Sequence, residues 1–246
     1  LSLAMHDIAK QPVQWVAGGA VAAAVIARKG DTIVLVTPTG SDRGETTIAS
    51  TPIAEIDLAS GTQTVLGEGS DACKIFEQAS EEWKLLMSIA LSALSREAVR
   101  LASEYACERE AFGKPIGAYQ AISHPLADLI TDIDGGKYLT WKAIHDIANN
   151  LDDAAAQVSM SLWWATDTAG RAVTQSLHTF GGYGLATESD IYLYNLRAKA
   201  WPLVAGDNEQ FMEEAGRRLY ADETTTLPDV GETTLDFDLG DAARAM

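Results

Sequence analysis

The chain has 246 residues, 47% of them hydrophobic, which suits one large globular domain or two small ones. Its net charge of −17 argues against a nucleic-acid partner, and it has no run of about 18 apolar residues that would predict a membrane span. The start, Leu1–Asp7, lacks the basic end and apolar run of a signal peptide, and Cys73 and Cys107 have no metal spacing, so we expect a cytoplasmic protein with reduced thiols.

The first 70 residues have the composition of a small antiparallel β-domain. Ala20–Ala27 is small and apolar, Thr32–Val36 is β-branched, and the turn residues Lys29-Gly30-Asp31 between them predict a hairpin. Turn-forming residues separate further short strands, which are predicted near Thr46–Ala49, Ala54–Leu58 and Thr64–Leu66. Residues 1–70 are therefore interpreted as one partial β-domain.

From residue 71 onward, apolar side chains recur at helical spacing. They predict five helices, of which the first, second, fourth and fifth cover about residues 71–110, 117–150, 188–201 and 207–220. Asp152-Asp153 can cap the third, which runs through Leu177 to a glycine-rich loop. Gly135-Gly136 inside the second helix indicates either a bend or a close helix crossing. Several long helices joined by short loops favour an up-down bundle over residues 71–220.

The C-terminal segment, residues 221–246, has a different composition. It carries seven acidic side chains against one basic side chain, Arg244, and its apolar residues show weak periodicity. We expect an acidic surface tail that is extended or partly disordered.

Two loops carry the most specific signals. The first predicted helix ends in Tyr105-Ala-Cys-Glu-Arg-Glu-Ala-Phe-Gly-Lys-Pro-Ile-Gly117, closely followed by Gln120-Ala-Ile-Ser-His-Pro-Leu-Ala-Asp128. The third ends in His178-Thr-Phe-Gly-Gly-Tyr-Gly-Leu-Ala-Thr-Glu188. An arginine can bind a pyrophosphate bidentately, and glycines let a phosphate or adenine approach the backbone. The structural alternatives are a solvated arginine, a core phenylalanine and a simple glycine C-cap.

Together these motifs resemble the C-terminal domain of the acyl-CoA dehydrogenases, and the resemblance extends from about Trp15 to Arg218. It implies an α+β fold in which a small antiparallel β-domain precedes an up-down helical bundle, with the family's N-terminal helical domain missing. Trp15-Val-Ala-Gly-Gly19 looks like a worn version of the strand that lines the flavin. Leu1–Asp7 lies closer to Trp15 than the family allows, so either a flexible segment is absent or the β-domain is degenerate.

The resemblance also implies the cofactor, FAD, and the residues that bind it. In the family both motifs reach across a dimer interface. By this match Arg109 binds the pyrophosphate, Phe112 packs beside the cofactor, and Gly181 and Gly182 let it approach the backbone. His178 replaces the family's glutamine and can still donate a hydrogen bond to a phosphate or ribose oxygen. The alternative for His178 is an interface histidine.

The carboxylate that removes the substrate α-proton is not found where the family places it. The two family positions for this base hold Ala205 and Trp83, and neither side chain accepts a proton. The neighbouring acids Glu81 and Glu82 are interpreted as a solvated acidic helix start. Asp207 lies one residue past a base position and has a shorter side chain.

A further departure lies in the flavin strand, where Ala17 replaces the threonine that usually meets the flavin.

We therefore expect a non-catalytic or half-site subunit of a heteromeric α₂β₂ acyl-CoA dehydrogenase, resembling those of actinobacteria that act on steroid side-chain CoA thioesters. A homologous partner would supply the base, and an electron-transfer flavoprotein or similar acceptor would take the electrons. The alternatives are a flavin-free homologue that stabilises a partner and a self-sufficient, oxidase-like flavoenzyme that uses Asp207.

Overall fold

The computed structural model describes residues 1–39 and 51–232. Its N-terminal region contains six short strands, and the predicted strand at Thr46–Ala49 lies outside the described residues. The strands are β1 (Ser2–Leu3), β2 (Val13–Val16), β3 (Val25–Lys29), β4 (Thr32–Thr37), β5 (Ala54–Asp57) and β6 (Thr62–Glu68).

The strands form two small sheets. One has the order β1-β3-β4-β6, and the other pairs β2 with β5 antiparallel. The predicted hairpin is present as β3 and β4, with Gly30 at φ 64° in its turn, although Ala20–Ala24 precedes the strand and is not part of it. The purely antiparallel prediction is wrong at β1, which pairs parallel to β3 because a long connection lets the chain re-enter the sheet in the same direction.

Five helices and one small hairpin follow. They are α1 (Gly69–Glu108), the hairpin strands β7 (Glu110–Ala111) and β8 (Lys114–Pro115), α2 (Gln120–Ala148), α3 (Ala154–Phe180), α4 (Asp190–Ala200) and α5 (Asn208–Tyr220). The α3 helix packs against each of the other four helices and is the centre of the bundle. The predicted fold class, a β-region followed by a helical bundle, is confirmed. Among the helices of the described residues, none is long and apolar enough to cross a membrane.

Small residues let α2 approach α3 closely. Gly135-Gly136 is a helix crossing and does not interrupt α2, because a Cβ at Gly136 would lie 2.8 Å from Cδ1 of Trp164. The Trp164 indole N–H donates a hydrogen bond of 2.8 Å to the carbonyl of Asp132 across the same contact. The predicted cap of α3 is at Asp153, but its side chain makes no capping hydrogen bond.

The described part of the C-terminal tail, residues 221–232, has no helix or strand and lies against α1. The backbone N–H and hydroxyl of Thr226 both donate to the Glu77 carboxylate, at 3.1 and 2.8 Å. The other oxygen of Glu77 accepts from Arg28 of β3 at 3.2 Å. One carboxylate on α1 therefore joins the tail, the bundle and the β-region.

Candidate functional site

The first motif forms the end of α1 and a tight hairpin. The Arg109 N–H donates to the carbonyl of Tyr105 at 2.8 Å, which closes the last helical turn, and the Arg109 carbonyl accepts from Ile116 at 2.8 Å. Phe112 and Gly113 occupy the hairpin tip with φ values of 53° and 80°. Consecutive positive φ angles are typical of type I′ hairpins, but they are unfavourable for a bulky phenylalanine. Strain of this kind is found at functional sites.

The hairpin presents its functional side chains to the exterior. Phe112 is 96% exposed, which excludes the core interpretation in the described chain, and the Arg109 side chain is also exposed. Tyr119 supports the tip from below: its hydroxyl donates to the carbonyl of Ala111 at 3.0 Å, and its ring meets Phe112 edge-on. Lys114 lies over the Tyr119 ring, with Nζ 4.2 Å from the ring centroid.

The second motif forms the end of α3. Gly181 caps this helix with φ 61°, and its N–H donates to the carbonyl of His178, so the C-cap interpretation is correct for this glycine. Gly184 is required by packing, because a Cβ there would lie 2.9 Å from the Leu177 carbonyl oxygen. Gly182 has an ordinary φ, and a Cβ at either Gly181 or Gly182 would meet nothing within 4 Å. The chain's own packing therefore does not require a glycine at position 182.

An aromatic cluster places the two motifs side by side. The ring of Tyr105 stacks on Phe180, with centroids 4.4 Å apart and planes 19° apart. Tyr183 lies 6.4 Å from Tyr105 and 6.3 Å from Phe180. Sequence reasoning did not identify this cluster, whose only signal is the aromatic residues that flank the two loops.

The residues at this end of the bundle fit a dinucleotide phosphate. Arg109 and His178 are exposed, and neither side chain has a hydrogen bond or ion pair within the described residues. Gly181 and Gly182 leave open space beside the backbone, into which a ligand can approach. An arginine fork next to a backbone that a ligand can approach closely is a suitable site for an anion.

Ala205 and Trp83, the residues that the resemblance assigns to the base positions, line two different cavities. Ala205 is buried at the wall of a polar cavity of about 460 Å³, together with Lys84 and Glu214. His6 also lines this cavity, and burial lowers its pKa, which favours a neutral imidazole. Trp83 instead lines a separate apolar cavity of about 370 Å³.

The apolar cavity lies between the β-region and α1, and none of its lining side chains can remove a proton. These residues are Ala17, Gly18, Thr51, Pro52, Ile53, Trp83, Leu86, Met87, Ala90 and Trp201. Ala17 lies here directly after β2. The lining of this cavity therefore offers apolar surface without an acid or a base.

The polar cavity contains a buried cluster of four charges, and here one prediction is wrong. Glu81 is not part of a solvated helix start but is 3% exposed in the middle of α1. It accepts from Lys84 at 2.9 Å and from two nitrogens of Arg218 at 2.7 and 2.9 Å. Lys84 and Arg218 also bind Glu214, at 2.7 and 3.1 Å, and Ser159 donates to this carboxylate. The two negative charges of the glutamates therefore balance the two positive charges of Lys84 and Arg218.

At the Glu214 carboxylate, the attraction of the two cations exceeds the effect of burial. Burial acts to raise its pKa, but Lys84 and Arg218 hold the pKa below its usual value. The sequence reasoning missed the cluster because Glu81 and Lys84 lie on α1, whereas Glu214 and Arg218 lie on α5, far along the chain. The local signals were the spacings Glu81 to Lys84 and Glu214 to Arg218, which place each pair on one helix face.

The remaining acids near the base positions have other surroundings. Glu82 is exposed on α1, as predicted. The Asp207 carboxylate caps α5 by accepting the N–H of Glu209 at 3.0 Å. Neither side chain lines the polar or the apolar cavity.

Residues 77–220 match the family model of the acyl-CoA dehydrogenase C-terminal domain. This match covers more than half of the chain, which therefore belongs to the acyl-CoA dehydrogenase family, a family of FAD-binding oxidoreductases.

The chain is similar to an acyl-CoA dehydrogenase of Bacillus subtilis, with 32% identity over 125 residues, which are 50% of this chain and 33% of that protein. The chain thus spans about a third of this relative. Its fold is similar to the ChsE4-ChsE5 complex from Mycobacterium tuberculosis, with a TM-score of 0.69 and 23% identity over 91% of this chain and 66% of that one. It is also similar to the FAD complex of PigA, with a TM-score of 0.70 and 17% identity over 90% and 68%.

Proposed function

We propose that this chain is a non-catalytic subunit of a hetero-oligomeric, FAD-dependent acyl-CoA dehydrogenase. It contributes Arg109, Phe112, His178 and the Gly181-Gly182 loop to a flavin site that a homologous partner completes, in an α₂β₂ assembly. The observation that carries the proposal is a contrast within one chain. The residues that the resemblance assigns to the flavin are exposed at one end of the bundle, whereas Ala205 and Trp83, at the two positions that it assigns to the base, lack a carboxylate.

Each residue of the exposed end has a role in this proposal. FAD, when bound, accepts the hydride that leaves the substrate. Arg109 neutralises the pyrophosphate with charge-assisted hydrogen bonds, and His178 donates to a phosphate or ribose oxygen. Gly181 and Gly182 would let the cofactor approach the backbone closely, because no Cβ intervenes. Phe112 would pack beside the cofactor at the interface.

The partner supplies the proton-abstracting carboxylate. In this chain the polar cavity beside Ala205 contains mutually paired charges, and Trp83 fills the other position with an indole. We propose an acyl-CoA substrate, specifically the CoA thioester of a steroid side chain, and an electron-transfer flavoprotein or similar acceptor. The similarity to the ChsE4-ChsE5 complex supports a heteromeric assembly. Residues 1–70, 71–220 and 221–246 act as a partial β-domain, an interface bundle and an acidic tail.

The test of the flavin role is Arg109→Ala in the assembled complex. A charge-assisted hydrogen bond contributes roughly 1.5–3 kcal/mol, so the affinity for FAD should fall about ten- to a hundredfold. Arg100→Ala is the matched control, because Arg100 is another exposed arginine of α1, paired with glutamates on its own helix. FAD is measured by its visible absorbance per protein. Unchanged FAD content in Arg109→Ala argues for a flavin-free, stabilising subunit.

The test of the missing base uses the two nearest acids outside the buried cluster. Glu82→Gln and Asp207→Asn should leave turnover within about threefold of wild type, since loss of a true base costs about 10²–10⁴-fold. Replacing the partner's catalytic acid should abolish turnover. A hundredfold loss from Asp207→Asn, with FAD content intact, contradicts the half-site and favours a self-sufficient enzyme.

A further inference from the structure

We infer that Tyr105 is a positioning residue, which fixes the glycine-rich loop against the arginine hairpin so that both halves of the flavin-binding surface keep one relative position. The inference rests on the proposed function, because it assigns a role to a residue that supports the proposed flavin site. It does not require Tyr105 to touch the cofactor.

Tyr105 is connected to the first motif through its backbone. It lies one helical turn before Arg109, and its carbonyl accepts the Arg109 N–H at 2.8 Å. That hydrogen bond ends α1 and sets the direction in which the hairpin leaves the helix. A shift of Tyr105 therefore moves the start of the hairpin.

Tyr105 is connected to the second motif through its ring. Phe180 immediately precedes the two glycines and Tyr183 immediately follows them, and both rings stack near-parallel to Tyr105, at interplanar angles of 19° and 16°. Both flanks of the glycine pair are thus attached to a single side chain of α1.

The glycines need this support because they have no side chains of their own. Open space surrounds a Cβ position at both Gly181 and Gly182, so no packing of theirs holds the loop. Phe180 also packs against the core of the bundle, but Tyr183 is 54% exposed. Its ring contacts with Tyr105 and Phe180 therefore hold the far side of the loop together with the close packing of Gly184 on Leu177.

The contributions of the hydroxyl and of the ring of Tyr105 can be distinguished by substitution. Within the described residues the hydroxyl has no hydrogen-bond partner, whereas the ring makes both stacking contacts. Tyr105→Phe should therefore bind FAD like wild type, and Tyr105→Leu should weaken binding about three- to tenfold, as expected for the loss of aromatic stacking. The matched control is Tyr138→Leu, a half-exposed tyrosine of α2 that is stacked edge-on against Trp141.

The experiment titrates FAD into the flavin-depleted complex and follows amide exchange of Gly181–Leu185 at a temperature well below unfolding. We expect weaker FAD binding and faster exchange in Tyr105→Leu, with Tyr105→Phe and Tyr138→Leu unchanged. A merely structural role would lower the melting temperature and leave FAD affinity unchanged, and this result overturns the inference. An equal loss in Tyr105→Phe also overturns it.

Two further variants keep the test decisive. If Tyr105→Leu does not assemble, Tyr183→Leu removes the ring contacts of an exposed side chain with Tyr105 and Phe180. Normal FAD binding together with normal loop exchange in that variant refutes the inference. Arg109→Ala is measured in parallel. If Arg109→Ala weakens FAD binding but the ring variants do not, the positioning role fails and the proposed function stands. If Arg109→Ala has no effect, the proposed function itself fails.

Discussion

Replacing Glu81 by glutamine should destabilise the bundle severely, whereas the same change at the adjacent Glu82 should not. Glu81 is buried and accepts three short hydrogen bonds from Lys84 and Arg218. Glutamine has nearly the same shape but no charge, so the variant retains the packing and leaves two buried cations to share Glu214. Glu82 is exposed, and it therefore serves as a control of identical chemistry one residue away.

The magnitude follows from the burial of the cluster. Breaking a buried ion pair by removing one partner costs about 3–5 kcal/mol, because the remaining charge is uncompensated. Whole domains are stable by only about 5–15 kcal/mol. For a domain of this size, each kcal/mol lowers the melting temperature by about 2–4 °C. Glu81→Gln should therefore lower it by about 6–20 °C.

The assay is thermal unfolding of the purified protein near neutral pH, followed by circular dichroism and calorimetry. A surface change such as Glu82→Gln should stay within about 0.5 kcal/mol of wild type. If Glu81→Gln unfolds at the same temperature as Glu82→Gln, the buried cluster does not stabilise the junction of α1 and α5. Glu81 would then not have the role of stabilising the fold through its buried ion pairs.

Three further predictions test local parts of the account. Lys84 and Arg218 hold the pKa of Glu214 below the ordinary 4.5, so on acidification the unfolded chain binds this proton before the folded chain does. At pH values below about 4.5, the melting temperature should therefore decrease as the pH drops through the folded-state pKa. The decrease should be less steep in Glu214→Gln. Gly136→Ala should cost about 1–3 kcal/mol in denaturant unfolding through its clash with Trp164, whereas Gly170→Ala, in open space, should not be destabilising. Tyr119→Phe removes a hydrogen bond worth about 0.5–1.5 kcal/mol, and amide exchange in the hairpin should speed up; unchanged exchange would show that this bond does not hold the tip.

Helical periodicity was sufficient to predict the bundle, because its signal is local. The apolar residues of α1 and α3 recur along one face, and the predicted helix ends lie close to the observed ones. The hairpin of β3 and β4 was predictable from a turn at Gly30 between two strand-forming segments. The parallel pairing of β1 was not predictable, since it depends on where the chain returns after a long connection.

The candidate site was predictable in its motifs but not in their arrangement. Arg109 and Gly182 stand out in the sequence because their neighbours form specific patterns. The contact of Tyr105 with Phe180 joins residues far apart in the chain, and no local spacing encodes it. The same reason explains the error at Glu81, whose partner Arg218 is 137 residues away. From the local sequence alone, an acidic residue on a helix is interpreted as solvent-exposed, because a partner far along the chain cannot be recognised.

The central claim is that this chain supplies flavin-binding residues to a partner that supplies the base. The most direct test is native mass spectrometry of the chain co-expressed with a homologous acyl-CoA dehydrogenase subunit, under conditions that retain FAD. We predict a tetramer of two copies of each chain that carries FAD, and FAD content that falls in the Arg109→Ala complex. A stable homodimer of this chain alone that holds one FAD per chain would contradict the account.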